Sequence, residues 1–295
     1  MDNTPRTVML PDGRRLEYLV EGDPDGFPLV LHHGTPGSAV PFPRAAEAAG
    51  ERGLALVLYS RAGYADSSPD PGRDVANVAA DIAALLDSLG RDEFVSLGWS
   101  GGGPHSLACA ALLPQRCRAA ATGAGVAPYE TGGELDFLAG MGTENVEEFS
   151  AALAGRETLE PLLKREADKL TGVTAEQLGK ALGDLVSPVD QAYATGEFAE
   201  RLLASFTRGC AGGIEGWAED DLAFVHDWGF DLGAISVPVS IWQGAEDHMV
   251  PFAHGQWLAR HVPAARVHLY DDEGHLSLWS KLDVIFDDLE DLAGL

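Results

Sequence analysis

The sequence predicts an α/β protein with a mostly parallel central sheet that is flanked by helices on both faces. Short apolar runs alternate with longer helical patterns along most of the 295 residues, an alternation typical of strand–helix–strand units. Several of these runs are continuously apolar, as expected for strands that are buried on both faces. The alternation stops between residues 127 and 233, where one helical pattern follows another. We therefore expect a helical insertion in an otherwise regular α/β core.

The predicted strands start with a hairpin, in which residues 6–10 and 15–21 flank the turn Pro11-Asp12-Gly13. Six further apolar runs continue the sheet: residues 28–32, 54–59, 93–97, 117–122, 237–242 and 265–270. Helical patterns lie between or after these runs, at residues 44–52, 74–89, 104–113, 252–261 and 277–292. The pattern is clearest in the second of these, where apolar residues recur at three- and four-residue spacing.

The insertion divides the chain into three predicted parts. Residues 1–126 and 234–295 form the two halves of the α/β core, and residues 127–233 form a helical cap over the carboxyl edge of the sheet. Within the cap, helical patterns cover residues 146–153, 158–170, 175–185 and 198–206.

Composition argues against several classes of partner. The formal net charge is −26, from 46 acidic and 20 basic residues, and such a field repels phosphate backbones, so we expect no nucleic acid. No apolar run approaches the ~18 residues of a membrane span. The first ten residues do not resemble a signal peptide, so we expect a cytoplasmic location without membrane association.

The three cysteines form no Cys-x-x-Cys pair and no His-x3-His pair occurs, so we expect no metal and no other cofactor. The oligomeric state stays open, with a homodimer as one alternative.

The most informative motif is a G-x-S-x-G pentapeptide, Gly98-Trp99-Ser100-Gly101-Gly102. It lies between a predicted strand and a predicted helix, which is the context that this motif requires. The glycines let the backbone turn tightly and leave the serine hydroxyl exposed at the tip of the turn. Ser100 is therefore the candidate nucleophile.

A serine nucleophile needs a neighbouring base and a group that orients this base. His275 follows the last predicted strand, and Asp247 follows the strand before it. Both lie at carboxyl ends of strands, the edge at which open α/β sheets build their sites. We predict a catalytic triad of Ser100, Asp247 and His275. Glu246 is the alternative acid, and capping of the following helix is the alternative role for Asp247.

Acyl transfer also needs two backbone N–H groups that stabilise the developing oxyanion. The N–H of Gly101, directly after the nucleophile, is one candidate. The loop that follows the run at 28–32 offers the other, and we assign it to Thr35. His33 and Trp99 lie beside these elements and are candidates for the substrate pocket, although Trp99 fits the core equally well.

Together these pieces resemble the α/β-hydrolase superfamily, in the branch with a helical cap that includes esterases, proline-iminopeptidase-like enzymes and cofactor-free haloperoxidases. The matching segments run through nearly the whole core: His33-Gly34-Thr35-Pro36-Gly37, Ser60-Arg61-Ala62-Gly63-Tyr64-Ala65-Asp66-Ser67, Gly98-Trp99-Ser100-Gly101-Gly102, Gly244 with Asp247 and Val250-Pro251, and Gly274-His275. Ser60 stands where the superfamily usually has Asp, and Ala65 where it usually has Gly; neither belongs to the triad. Epoxide hydrolases and haloalkane dehalogenases of this superfamily have an Asp nucleophile where this chain has Ser100, which argues against both activities. The resemblance implies the α/β-hydrolase fold with a cap.

We predict a cofactor-free serine hydrolase that cleaves a carboxylic ester of a small or medium-sized substrate through an acyl-enzyme on Ser100. Three alternatives stay open. The triad could transfer the acyl group to another acceptor or to hydrogen peroxide, and a protein of this fold could also be a non-catalytic ligand receptor. A peptidase of the proline-iminopeptidase-like kind would act on amides, and carboxylates of the insertion would then bind the substrate ammonium: Glu144, Glu147, Glu148, Asp220 and Asp221.

Overall fold

The structure, a computed structural model, describes residues 4–170 and 172–295, so residues 1–3 of the predicted core and residue 171 of the predicted cap lie outside it. Within the described residues, eight strands form one sheet in the spatial order β1-β2-β4-β3-β5-β6-β7-β8. The strands are β1 Arg6–Met9, β2 Arg15–Gly22, β3 Phe27–His32, β4 Leu54–Ser60, β5 Phe94–Trp99, β6 Cys117–Gly123, β7 Val239–Gly244 and β8 Arg266–Tyr270. The pairs β1·β2 and β2·β4 are antiparallel, and the pairs from β4 to β8 are parallel.

The helices, in chain order, are α1 Pro43–Glu51, α2 Val78–Ser88, α3 Gly103–Leu112, α4 Thr143–Ala154, α5 Arg156–Leu170, α6 Ala175–Ala181, α7 Pro188–Tyr193, α8 Gly196–Gly209, α9 Glu215–Val225, α10 Phe252–His261 and α11 Leu282–Ala293. Helices α4 to α9 all lie between β6 and β7, in the segment predicted to be the cap. Across the described residues, no helix is long and apolar enough to cross a membrane.

Helices cover both faces of the sheet because successive side chains of a strand point to opposite sides. Val30 and Val57 pack in the cluster that contains α2, α3 and α10. Leu31 and Leu58, one residue further along the same strands, pack with α1 and α11. The predicted fold class, a mostly parallel sheet flanked by helices, is confirmed.

Two helices begin later than their sequence pattern predicts. Helix α2 starts at Val78 and not at Asp74; in the segment before it, the N–H of Ala76 donates to the carbonyl of Trp228 at 2.9 Å. The last pattern, predicted from residue 277, starts as a short 3-10 turn, and α11 begins at Leu282. In both segments a residue of the insertion accepts a backbone N–H near the late start: Trp228 accepts from Ala76, and Asp190 accepts from Ser277.

The sequence patterns missed α7 and α9. Helix α9 shows no clear polar face because three acidic residues on it, Glu219, Asp220 and Asp221, are buried along with Trp217 and Phe224. A helix that is buried on most sides loses the periodicity on which such a prediction depends.

The parallel strands bring four loops to one edge of the sheet. The loops that follow β3, β5, β7 and β8 carry Thr35, Ser100, Asp247 and His275 respectively. Because these strands share one direction, their carboxyl ends lie at the same edge, and helices of the insertion pack over it.

Candidate active site

Ser100 occupies a strained turn between β5 and α3. Its φ is +55°, in the left-handed region that residues other than glycine seldom adopt. The turn is tight: a Cβ on Gly98 would collide with the backbone of Gly102, and a Cβ on Gly102 would collide with the carbonyl of His32. Glycine is therefore required on both sides of Ser100. This geometry is that of a nucleophile elbow, in which the turn presents the serine side chain at the sheet edge.

His275 and Asp247 form a buried pair at the same edge. The distance between His275 Nδ1 and Asp247 Oδ2 is 2.8 Å, and the two residues are only 3% and 2% exposed. Asp247 Oδ1 accepts the backbone N–H groups of Met249 and Val250 at 2.9 and 2.8 Å, and Oδ2 also accepts from Gln243 Nε2 at 2.9 Å. These donors hold the carboxylate in place and leave it aimed at the imidazole.

The pKa of His275 is raised above its ordinary value. Burial by itself would lower this pKa, but the charge of Asp247 and its hydrogen bond to the ring outweigh burial, and the charge of Asp190 adds to them. Glu246, the alternative acid, is exposed and does not hydrogen-bond to this imidazole among the described residues.

Asp190, on helix α7 of the insertion, anchors the loop that carries His275. It is fully buried, and its Oδ2 accepts the N–H of His275 at 3.0 Å. Its Oδ1 accepts the N–H groups of Leu276 and Ser277 at 2.8 and 2.9 Å. A Cβ on the preceding Gly274 would collide with this carboxylate. The histidine loop is therefore built around a side chain of the insertion.

The candidate oxyanion residues lie against each other. A Cβ placed on Gly101 would collide with the Thr35 side chain, and Thr35, Gly101 and Ser100 line one cavity. The Thr35 hydroxyl donates to Asp220 Oδ2 at 2.7 Å, so a residue of the insertion holds this side chain.

Asp220, on helix α9 of the insertion, forms buried ion pairs with Arg61 and Arg73 of the core. Its Oδ2 accepts from Arg61 Nη2 at 2.6 Å and from the Tyr64 hydroxyl at 2.8 Å, and its Oδ1 accepts from Arg73. Burial would raise the pKa of Asp220, but Arg61 and Arg73 hold it well below the ordinary value. A buried charge is tolerable only with such partners.

Arg61 also binds the loop after β3, at residues 33–38, which is called the oxyanion loop below because it carries the candidate donor Thr35. Its guanidinium donates to the carbonyl of His33 and to that of Gly34, the second at 3.0 Å. The His33 ring accepts the backbone N–H of Arg61 at Nε2, 3.1 Å away, and donates from Nδ1 to the Gly34 carbonyl at 2.6 Å. Burial and the charge of Arg61 lower the pKa of His33 well below its ordinary value, which keeps the ring neutral.

Two cavities meet at Ser100. The first cavity has a volume of about 820 Å³, which includes its open mouth, and its walls are mostly apolar. His275, His33 and Trp99 also line it. Trp99 stacks on Trp279 with ring centroids 4.1 Å apart. Both predicted pocket residues therefore lie on the wall of the first cavity.

The second cavity, of about 1020 Å³, runs from Ser100 toward acidic residues of the insertion. Two of its carboxyl groups, Glu148 and Asp221, interact with each other. Burial raises the pKa of Glu148 to about 7. The pKa of Asp221 is also raised, mainly by burial and further by the negative charge of Glu148. Trp217 Nε1 donates to Glu148 at 2.8 Å, and apart from Glu148 no group among residues 4–170 and 172–295 hydrogen-bonds to Asp221.

Comparison with known proteins decides the family. The model of the alpha/beta hydrolase fold matches residues 28–282, which is most of the chain. This chain belongs to the α/β-hydrolase family. Among its relatives, a non-heme chloroperoxidase of Streptomyces lividans is 29% identical over 252 residues and covers 84% of each chain. A 2-hydroxy-6-oxononadienedioate/2-hydroxy-6-oxononatrienedioate hydrolase of Dechloromonas aromatica is 26% identical over 264 residues, 86% of this chain and 82% of that one.

Solved structures agree on the fold of this α/β hydrolase. An alpha/beta hydrolase fold protein from Nakamurella multipartita superposes with a TM-score of 0.69 at 23% identity and covers 99% of this chain and 100% of that one. An esterase from Rhodococcus sp. ECU1013 superposes with a TM-score of 0.66 at 20% identity, over 98% and 99% of the two chains. At these identities the likeness establishes the fold.

The α/β hydrolase places every predicted site residue at one edge of its sheet. Two roles were not visible in the sequence, those of Asp190 and of the Arg61–Asp220 pair. Arg61 was visible only as part of a family segment, and Asp220 as one of several acids in the insertion. Its partners Arg61, Tyr64 and Arg73 lie about 150 residues earlier in the chain, and no local pattern in the sequence reports such a contact.

Proposed function

We propose that this α/β hydrolase is a serine esterase that cleaves a carboxylic ester of a small or medium-sized substrate. One observation supports the proposal most directly. His275, whose imidazole hydrogen-bonds to Asp247 at 2.8 Å, lines the same cavity as Ser100, whose backbone is strained. A buried base with an orienting acid, in one cavity with a partly exposed serine, is the arrangement that acyl transfer requires. A pure ligand receptor has no need of it.

In the proposed reaction, the Ser100 hydroxyl attacks the ester carbonyl while His275 Nε2 takes its proton. Asp247 holds the other ring nitrogen, fixes the tautomer and stabilises the imidazolium that forms. The N–H groups of Thr35 and Gly101 stabilise the tetrahedral oxyanion. His275 then protonates the leaving alcohol. In the second half, His275 activates a water that releases the acid and regenerates Ser100.

A panel of p-nitrophenyl esters from acetate to decanoate tests this proposal on the purified protein. Ser100→Ala should abolish turnover, whereas Ser88→Ala, which removes a hydroxyl at the end of α2, should keep it. Labelling by a fluorophosphonate should follow the same pattern. Ester cleavage that persists in Ser100→Ala would contradict the assignment, and a wild-type protein that takes up no fluorophosphonate would favour a receptor.

A second candidate is an aminopeptidase, favoured by the second cavity. Glu148 and Asp221 form a carboxyl pair that lines the same cavity as Ser100, and such a pair can bind the ammonium group of a peptide N-terminus. Asp220 is not available for this role because Arg61, Arg73, Tyr64 and Thr35 occupy its oxygens. Proline and alanine nitroanilides test it. If Glu148→Gln lowers the turnover of these nitroanilides but keeps the turnover of esters, the peptidase hypothesis is supported. If the wild type cleaves no nitroanilide, it is excluded.

The relatives suggest one further acceptor. Because a non-heme chloroperoxidase is similar to this chain, the ester assay should be repeated with hydrogen peroxide. Formation of a peracid would show that the acyl-enzyme on Ser100 also reacts with peroxide in place of water.

A further inference from the structure

Strand β8 is an edge of the sheet and exposes two apolar side chains. Among the described strands it pairs only with β7, so one side of its backbone has no strand partner. Val267 and Leu269 are 41% and 38% exposed, although Ile241, the neighbour of Val267 on β7, is buried on the same face. Proteins usually protect an edge strand with charge, proline or a cover, because an open edge can pair with another chain. At these two positions β8 has neither charge nor proline.

The outward backbone groups of β8 belong to the same two residues. The carbonyl of Tyr270 accepts the N–H of Ala245 at 2.8 Å, so it points toward β7. In a strand of a parallel pair, the N–H and C=O of one residue point to one side, and those of the next residue point to the other. The backbone groups of His268 therefore also face β7, whereas those of Val267 and Leu269 face outward.

A second copy of this chain fits this pattern. When two β8 strands run antiparallel about a two-fold axis at His268, Val267 of one copy lies opposite Leu269 of the other. In an antiparallel pair, opposed residues that exchange both backbone hydrogen bonds alternate with opposed residues that exchange none. Each of the two Val267–Leu269 pairs then exchanges both bonds through its outward groups, and the central His268 pair needs none. The same register brings the exposed apolar side chains of both copies together on one face.

Charges at the two ends of β8 are complementary in this arrangement. Arg266 begins the strand, Asp271 and Asp272 directly follow it, and all three are exposed. The two-fold axis brings the acidic turn of one copy to the Arg266 end of the other. Arg266 also pairs with Asp288 and Asp291 of its own chain. Within the described residues nothing forms an ion pair with Asp271 or Asp272, so these carboxylates are free to meet the partner.

We propose that β8 binds a second copy of this chain, in an antiparallel pair about His268 that joins the two eight-stranded sheets into one. Neighbouring axes fit less well. An axis at Val267 would move the acidic turn away from Arg266, and an axis at Leu269 would place Val267 opposite Asp271. The contact is small, so the dimer should dissociate on dilution. It involves no residue of the triad and does not depend on the proposed esterase function.

Sedimentation equilibrium of the purified protein tests for the dimer. About 0.15 M salt screens the long-range repulsion between two copies whose net charge is −26 each. The average mass should rise from that of one chain toward that of two as the protein concentration increases. Leu269→Lys places a charge in the apolar strip of both copies and should raise the dissociation constant by about tenfold or more. Met9→Lys, a matched change at an exposed apolar residue of the opposite edge strand β1, should leave this constant unchanged.

Cysteine cross-linking tests the position of the axis. Opposed residues that exchange no hydrogen bonds have Cα atoms about 4.5 Å apart, a distance that a disulfide can span. His268→Cys should therefore give a covalent dimer under mild oxidation, whereas the wild type and Val284→Cys, at an exposed position on α11, should not. The ring of His268 stacks on Trp242. If its loss unfolds the protein, a mixture of Val267→Cys and Leu269→Cys decides, because these positions oppose each other only about this axis.

Three results would overturn the proposal. The first is a protein that stays monomeric at every concentration. The second is a dimer that Leu269→Lys does not weaken and that the cysteines in β8 do not cross-link, since such a dimer forms through another surface. The third is a series of larger assemblies that Met9→Lys dissolves, which would mean that β8 pairs with β1 of the next copy.

Discussion

The carboxylate of Asp190 accepts the backbone N–H of His275 at 3.0 Å, so a helix of the insertion holds the candidate catalytic base. The same carboxylate also contributes to the raised pKa of His275. The insertion therefore does more than cover the cavity: it sets the position and the charge environment of the imidazole.

Asp190→Asn should change the pH dependence of ester cleavage. Only the neutral imidazole can take the proton of Ser100, so activity rises with pH through the pKa of His275. Loss of a negative charge lowers this pKa, and the acidic limb of kcat/KM should move to lower pH. The plateau of kcat should also fall, by about tenfold or more, because the histidine loop loses an acceptor.

The control for this change is Asp184→Asn. Asp184 is an exposed acid of the insertion that accepts from the Thr143 hydroxyl at 2.6 Å, and its loss should leave the acidic limb in place. A wild-type pH profile in Asp190→Asn, with wild-type kcat, would show that Asp190 has no influence on the base.

Asp220→Asn should both destabilise the protein and slow ester cleavage. It leaves Arg61 and Arg73 buried without their acceptor, and loss of one partner of a buried ion pair costs about 3–5 kcal/mol. Arg61 then holds the oxyanion loop less firmly, so kcat should fall more than KM rises. Urea unfolding and ester kinetics measure the two effects. Glu93→Gln, which breaks the exposed pair with Arg118, should cost only about 0–1 kcal/mol and leave kcat unchanged.

Ser100→Gly should be more stable than Ser100→Ala, although both should be inactive. At φ +55° a side chain costs about 1–2 kcal/mol relative to glycine, and only the glycine variant relieves this strain. The difference in the free energy of unfolding between the two variants is the measurement. Equal stabilities would mean that the turn relaxes without Ser100 and stores no strain.

Acidification should destabilise the protein from about pH 6.5 downward. Burial lowers the pKa of His254 to about 4 and that of His32 to about 3, so both stay neutral when folded and take up protons on unfolding. Their contribution is complete above the ordinary histidine pKa and is lost as pH falls toward these values. For His254 the loss is on the order of 3 kcal/mol.

Urea unfolding at pH 7.5 and at pH 4.5 measures this effect. His254→Gln keeps a donor for the Phe137 carbonyl and an acceptor for the Ala127 N–H, and it should reduce the loss between the two pH values. His226→Gln, at an exposed position, should behave as the wild type. An equal loss in both variants would assign the effect to groups other than His254.

The sequence was sufficient for the fold class, the family and the neighbourhood of the site. Continuous apolar runs predict buried parallel strands because a strand covered on both faces needs no polar side, and chain direction then places Ser100, Asp247 and His275 at one sheet edge. A G-x-S-x-G turn can be recognised from five consecutive residues because its backbone requires glycine at fixed positions. Where helices have a solvent face, as α2 does, periodicity located them to within a few residues.

Tertiary structure decided what depends on contacts between distant residues. The buried acids of α7 and α9 look like ordinary surface charges in the sequence, and only folding shows that Asp190 meets the loop of His275 and that Asp220 meets Arg61. Burial and pairing set the energy of a charge, and neither is a property of the local sequence.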